Sequence, residues 1–381
     1  MSLFNRNIQE IIESKRISTY GIFLSVSHLL TAFFLYRTNF SIDGLVCWQF
    51  FSGCQPFTRI LFLGLSNALI IYGALSTICA GLFFLKKQKI AYYLFLTLSL
   101  FKIIVQLSDY RFMGNYHYMS NIINFAFLFL PCKKDIIKLF IVLFYMAAGV
   151  IKFNLDWFSG AALTNPSVLS GRWLILSCAY VVLLELVLSL GLLSKNKKYF
   201  YFVLVQVCLF HLFSWHIVGY FYPLIMFSLI SIYFLSTETF VFPTQRINLF
   251  FVGLFLFAQM LPLFFDLNSS LTNKYRVYAL NMLDAYSQCE TRLFLKNKDS
   301  TIEYRPDFSK IVVRLHCDPI FIVQKVHETC DYYKTNANFK DIDFDFQVRR
   351  SSEQNNIQQL TLQNVCSHPL KIDALSGAAY Q

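Results

Sequence analysis

Charge is scarce in this chain: Asp, Glu, Lys and Arg together make up 14% of 381 residues, against 56% hydrophobic and 18% aromatic. Soluble domains carry roughly a quarter charged residues. Too little polar material is present to coat two or three such domains, and the bulk of the chain belongs in a bilayer. The same composition excludes a disordered protein. Acidic residues are scarcest, 22 against 33 Lys and Arg, for a formal net charge of +11. Residues 266–381 hold 14 basic and 14 acidic side chains, and subtracting these from the totals leaves 19 basic and 8 acidic in residues 1–265. The basic excess therefore lies within the apolar part, where Lys and Arg between spans set topology. A nucleic-acid partner is not expected. The ten cysteines include no CxxC motif, which weighs against thiol-redox chemistry. Internal repeats and low-complexity linkers are also missing. Residues 1–16 are polar and amphipathic and no small-residue cleavage site follows the first apolar run, so no cleavable signal peptide is expected.

Apolar stretches recur at about 17–36, 60–85, 88–107, 118–131, 137–153, 172–193, 199–217, 219–236 and 247–265. A crossing helix needs about 20 apolar residues, so the fourth stretch is short enough to be tilted or re-entrant. The expected fold is an α-helical polytopic membrane protein of about nine transmembrane helices, residues 1–265, with eight as the alternative count. Arg6, Lys15 and Arg16, then Lys86, Lys87 and Lys89, then Lys133, Lys134 and Lys138, then Lys195, Lys197 and Lys198 fall in alternate connections. These face the cytoplasm by the positive-inside rule. The expected location is the cell (inner) membrane, with a cytoplasmic N-terminus and residues 266–381 outside.

From Asp266 the texture is that of a soluble α+β domain, reading 266–381. The alternation over Ile342–Val348 and Ile311–Leu315 predicts half-buried strands, and the spacing over Ile320–Tyr333 predicts a helix. Cys79, Cys178 and Cys208 lie in apolar stretches and Cys132 at a cytoplasmic edge, whereas Cys47, Cys54, Cys289, Cys317, Cys330 and Cys366 fall outside. Six cysteines on an oxidising side allow three disulfides in 15 connectivities.

Ionisable groups inside a membrane cost about 2.5–3.5 kcal/mol each on insertion scales and mark function by default. The polar candidates are Lys102 with the neutral Gln106, followed by Asp109 on the same helix face, then His117, Lys152, Glu185, His211 and His216. Lys102 and Glu185 can form a structural ion pair. Lys152 can snorkel at its helix end with Asp156 as partner. His211 and His216 are five residues apart, a poor spacing for two metal ligands on one helix, and no metal site is expected.

The string Tyr145-Met-Ala-Ala-Gly149-Val150-Ile151-Lys152-Phe153-Asn154-Leu155-Asp156-Trp157-Phe158-Ser159-Gly160 resembles the tyrosine, alanine-glycine, lysine, aspartate-tryptophan and glycine pattern of the vitamin K-dependent γ-glutamyl carboxylase family. The membrane part of that family is also called the horizontally transferred transmembrane (HTTM) domain. Val46-Cys47, Asn115-Tyr116-His117, Phe210-His211, Gly219-Tyr220-Phe221 and Tyr278-Ala279-Leu280-Asn281-Met282 agree in order and approximate spacing. The resemblance spans about residues 20–370, and the Lys152 string is its most specific piece. Leu280 departs from it, standing where the family has tryptophan. The chain also ends at Gln381, without the large C-terminal region of the animal enzymes, so propeptide recognition of their kind is not implied.

The resemblance implies a lyase-type carboxylase using reduced vitamin K or another naphthoquinol, with O2 and CO2 as co-substrates. Lys152 in free-amine form takes the base role toward the quinol, and His117 lies beside the ring. Reaction with oxygen yields a strong base that removes the γ-proton of a glutamate. Asn115, Tyr116, Trp157 and His211 fall at cofactor-binding positions, and Tyr278, Asn281 and Met282 at substrate-binding ones. The implied partners are membrane lipid and an exported peptide or protein. A Cys47–Cys330 disulfide is implied too, with Cys47–Cys54 its competitor by sequence proximity. Two other classes stay open: a non-catalytic maturation or immunity factor that binds an exported peptide, and a quinone oxidoreductase without carboxylation.

Overall fold

The structure, a computed structural model, describes residues 3–39, 54–108, 114–163, 166–265, 278–281, 287–306, 317–335, 338–350, 357–368, 371–372 and 379–380. The predicted strand at Ile311–Leu315, together with Cys47, Asp109 and Met282, lies outside them. The amphipathic start forms α1, Leu3–Glu13, and the apolar stretches follow as helices. These are α2 (Lys15–Asn39), α3 (Cys54–Phe84), α4 (Gln88–Ser108), α5 (Asn115–Phe129) and α6 (Lys133–Ile151), then a short α7 (Leu155–Ser159). Next come α8 (Gly171–Leu186), continued by a 3-10 turn over Leu188–Leu193, then α9 (Lys197–Val218), α10 (Phe221–Leu235) and α11 (Arg246–Phe265).

Among the described residues, six helices are long and apolar enough to cross a membrane: α2, α3, α4, α8 with its 3-10 extension, α9 and α11. Helices α5 and α10 have 15 residues each, about 22 Å at 1.5 Å per residue, short of a hydrocarbon core of about 30 Å. Helix α6 is 19 residues long but opens with Lys133, Lys134, Asp135 and Lys138. Outward-facing Phe84, Leu176, Trp215, Phe250 and Phe264 are all more than half exposed, a lipid-compatible surface that a water-soluble monomer rarely tolerates.

One end of the bundle gathers charge. Arg16 pairs with Glu238, and Lys134 lies 3.0 Å from the same carboxylate. The Lys133 N–H donates to Glu10 at 2.7 Å, and Lys138 Nζ donates to the Ser236 carbonyl at 2.6 Å. Residues predicted to lie in cytoplasmic segments therefore meet at a common end.

The C-terminal region contains a four-stranded antiparallel sheet of order β2-β1-β3-β4, formed by β1 (Gln288–Asn297), β2 (Thr301–Tyr304), β3 (Phe339–Arg349) and β4 (Ile357–Leu362). The predicted strand over Ile342–Val348 is the body of β3, and the predicted helix is α12, Pro319–Tyr333. Period-two alternation puts Ile342, Phe344, Phe346 and Val348 on one face, where they join Leu293 and Leu295 of β1 and Phe321, Ile322, Val326 and Cys330 of α12 in one core. Two short strands, β5 (Lys371–Ile372) and β6 (Ala379–Tyr380), pair apart from that sheet.

Two disulfides hold this region, Cys289–Cys317 and Cys330–Cys366, each with a Cα separation of 5.5 Å. The expected Cys47–Cys330 bridge is thereby overturned. Cys330 on the inner face of α12 has Cys366 beside it, just beyond β4, and its sulfur is already used. Cys79, Cys132, Cys178 and Cys208 are free thiols, as read from their places in the sequence.

Candidate functional site

Lys152 sits where α6 ends, its backbone turning off the helix at φ −85° and ψ −4°. It does not snorkel. Its side chain is 7% exposed, and Nζ donates to both Oε1 and Oε2 of Glu185, 2.5 Å each. Glycine makes this approach possible: a Cβ at Gly149 would lie 2.7 Å from Leu186 Cγ and 3.1 Å from Glu185 Cβ. Helix α8 can close on α6 only because that atom is missing. Glu185 thus pairs with Lys152 rather than with Lys102. The other expected neighbour, Asp156, lies 3.4 Å from Arg350 at the end of β3.

Trp157 closes the pair from above, its ring centroid 5.1 Å from Lys152 Nζ, within cation–π range. Its position is fixed twice. The Asn154 side chain caps α7 by accepting from the Trp157 N–H at 2.9 Å, and the indole N–H donates to the Cys178 carbonyl at 3.0 Å. About two helical turns back along α6, the Tyr145 hydroxyl and His211 Nε2 lie 2.7 Å apart, both side chains buried. His216 is turned away and bonds its own helix at the Phe213 carbonyl.

A belt of rings leads from here to the second polar cluster. His211 lies 5.4 Å from Tyr222, Tyr222 6.1 Å from Tyr116, and Tyr116 4.3 Å from His117, centroid to centroid. His117 is fully buried on α5, and among the described residues neither of its ring nitrogens has a hydrogen-bond partner. Buried polar atoms are normally paired, which makes this ring a candidate contact for a ligand.

Across from it, Lys102 of α4 is also fully buried and donates to Ser120 of α5 at 2.6 Å. Gln106 accepts from Asn121 at 2.6 Å, so the inward face predicted for Lys102 and Gln106 is the observed one. Asn124 and His28 lie 3.1 Å apart, and the far nitrogen of His28 is 2.5 Å from the Tyr72 hydroxyl.

The segment 278–281 is fastened directly over α5. The Tyr118 hydroxyl donates to the Tyr278 carbonyl at 2.6 Å, the Leu280 N–H donates to Gln259 Oε1 at 2.9 Å, and the Asn281 N–H donates to Asn115 Oδ1 at 3.2 Å. Leu280 is 3% exposed and packs into the bundle core. The expected cofactor residues Asn115, Tyr116 and His117 and the expected substrate residues Tyr278 and Asn281 are therefore brought to one place.

His28 and Gln259 are absent from the inventory of intramembrane polar groups, although their positions inside the first and ninth apolar stretches are the signal for them. Arg350 and Tyr222 carry no local signal. Their relevance comes from the tertiary fold. Among the described residues no group of three His, Cys, Asp or Glu side chains is placed to hold a metal ion.

The fold is that of a mostly helical protein with six described helices long and apolar enough to cross a membrane. Its buried polar clusters, with Lys102 and Lys152, are joined by an aromatic belt and accompanied by a small α+β region. Comparison with family models, curated proteins and solved structures finds no match to the chain.

Proposed function

We propose that the protein is an integral-membrane, vitamin K-dependent γ-carboxylase-like enzyme of the HTTM type, coupling quinol oxidation by O2 to carboxylation of glutamate in an exported peptide or protein. In this reading α2, α3, α4, α5, α6, α8, α9, α10 and α11 make nine crossings, the charged end faces the cytoplasm, and the sheet region is extracytoplasmic. One observation carries it above all. Lys152, the residue the family pattern marks as base, lies in a dry site with Glu185, Trp157 and the Tyr145–His211 pair, and a ring belt joins that site to the unpartnered His117.

The residues fit a quinol. Among the described residues the His117 ring nitrogens have no hydrogen-bond partner, and Tyr116 and Phe34 supply aromatic surface beside the ring, with Tyr222 next to Tyr116. Asn115, Tyr116, His117, His211 and Trp157 would hold it, and when bound it supplies the reducing equivalents that react with oxygen. The protein's part is proton management. A proton moving from Lys152 to Glu185 converts ammonium and carboxylate into amine and carboxylic acid with no change in net charge, so the desolvated site can produce a neutral lysine without burying an isolated ion. Burial otherwise penalises such a charge heavily. Trp157 and Leu280 keep water from the pair and from the top of α5. Tyr278 and Asn281, held over α5 through their backbone groups, are the residues of this segment assigned to the peptide.

The test is epoxidation of added vitamin K hydroquinone by the purified protein, with radioactive bicarbonate and a glutamate-containing peptide. Peptide-stimulated labelling supports the carboxylase. Epoxidation with no effect of any peptide points to a quinone oxidoreductase, and silence in both assays to the non-catalytic maturation or immunity factor. Topology is tested separately with an impermeant thiol reagent on cysteines introduced into intact cells. Labelling in the Lys195–Lys198 connection but not in the sheet region would overturn the orientation.

A further inference from the structure

Of the four buried lysines, Lys133 and Lys138 lie at the charged end and donate to backbone carbonyls, while Lys152 and Lys102 lie deeper and differ in one respect. Lys152 has its counter-charge built in, both oxygens of Glu185 standing 2.5 Å from Nζ. Lys102 is equally buried, yet among the described residues it makes no ion pair, and the Ser120 hydroxyl at 2.6 Å is its one hydrogen-bond partner. An ammonium has three donors and no acceptor, so two N–H groups stay unused in a site that excludes water. A buried cation without a carboxylate is strongly disfavoured, so such a lysine either sheds its proton or is completed by an anionic ligand.

The neighbours are of a matching kind. Ser120 follows His117 by one turn of α5, which places both on the same helix face. His28 is engaged on both nitrogens, by Tyr72 and Asn124, whereas His117 is engaged on neither. His117 thus shares a face of α5 with Ser120, the hydroxyl to which Lys102 donates, and among the described residues both Lys102 and His117 have unused hydrogen-bonding capacity. Their other side is aromatic, with Tyr116 4.3 Å and Phe34 6.1 Å from the His117 ring by centroid. Spare donors beside a cation select an anionic oxygen, and the rings beside them select a flat apolar body.

We infer that Lys102, with His117, holds the ionised hydroxyl oxygen of an aromatic ligand, and so supplies the positive charge that makes a quinol acidic in this site. The inference rests on the quinol reading above and assigns it a residue outside the Lys152 string. It also divides the labour between the lysines: Lys152, neutralised by Glu185, handles the proton, while Lys102 keeps the charge left behind.

A 2-hydroxy-3-alkyl-1,4-naphthoquinone, coloured when ionised, reports this directly when titrated with pH against the purified full-length protein. An opposite charge within about 4–6 Å lowers the ionisation of an acid by about 1–3 pH units. The bound probe should therefore ionise at a pH lower by about one unit or more in the wild type than in Lys102→Met, with Lys102→Arg retaining most of the displacement because it keeps the charge. A role for Lys102 in packing alone would not move this titration. If Lys102→Met does not fold, Lys102→Gln serves the same comparison. Equal ionisation in wild type and the neutral variant overturns the inference and leaves the quinol reading standing. Failure of the wild type to bind the probe at any pH overturns both.

Discussion

Lys152 and Glu185 close a buried ion pair across α6 and α8, with Nζ 2.5 Å from each carboxylate oxygen and no side chain on Gly149 to keep the helices apart. Removing one member of such a pair leaves the other charge uncompensated, at a cost of about 3–5 kcal/mol. Glu185→Leu and Lys152→Met should each destabilise the protein by that order in detergent unfolding. The double variant should be more stable than either, because no orphaned charge remains. Additive losses in this cycle would mean that the two groups do not act as a unit.

Lys152→Arg separates charge from proton chemistry. Arginine keeps the cation opposite Glu185 but does not deprotonate at any accessible pH. A purely structural lysine would tolerate the change. As the base, Lys152 should not: epoxidation of vitamin K hydroquinone should fall about 100- to 10,000-fold, the usual cost of losing a general base, while quinone binding persists. Near-wild-type turnover in Lys152→Arg across pH 6 to 9 would end the base assignment.

Much of this architecture is written in local pattern. All nine apolar stretches become helices at nearly their expected limits, and the alternation over Ile342–Val348 is a strand with its apolar residues inward. Partnerships were not legible. Lys102, Lys152 and Glu185 are each conspicuous in an apolar run, but which two meet depends on how α4, α6 and α8 are rotated about their axes, and the small residue that decides it, Gly149, is unremarkable in sequence. Cys330 had the same ambiguity, because its partner depends on where the chain returns after β4. Leu280 is informative in the other direction. It stands where the resembling family has tryptophan, and it is buried in the bundle core, so at this position the chain uses an apolar plug.

The two observed bridges leave Cys47–Cys54, the competitor offered by sequence proximity, as the pairing to test. With Cys289 joined to Cys317 and Cys330 to Cys366, Cys47 and Cys54 are the two cysteines left of the six assigned outside. Peptide mapping without reduction should recover Cys47–Cys54 together with the two observed bridges. A peptide linking Cys47 to Cys330 would contradict the structure.

The sheet region should be acid-sensitive through Asp341. Burial by itself raises its pKa, but hydrogen bonds from Ser367 Oγ, the Cys366 N–H and the Ile342 N–H to the carboxylate outweigh that and hold it below its ordinary value. A carboxylate whose folded pKa is depressed contributes stability above its unfolded pKa of about 3.9, and that contribution is lost as pH falls through the lower folded value. Protection of the amides over 342–348, corrected for the intrinsic pH dependence of exchange, should therefore fall as pH drops below about 4. Asp341→Asn should show fast exchange already at pH 7, with little further change on acidification. If the variant and the wild type respond alike to acid, another group is responsible.

Asp156 and Arg350 join the membrane part to the sheet region, 3.4 Å apart with side chains 4% and 12% exposed. Asp156 lies on α7, next to the Trp157 that covers Lys152, and Arg350 follows the last residue of β3. Loss of Arg350 should therefore be felt at α7 before it is felt in the sheet, whose own core of Phe344, Phe346 and Val348 does not include it. In Arg350→Met, amide exchange over 154–160 should rise several-fold while that over 342–348 stays near wild type. Epoxidation should fall in parallel if Trp157 shields the reacting pair. Equal exchange at α7 in the variant and the wild type would show that the cover over Lys152 is held by Asn154 and the Cys178 carbonyl alone.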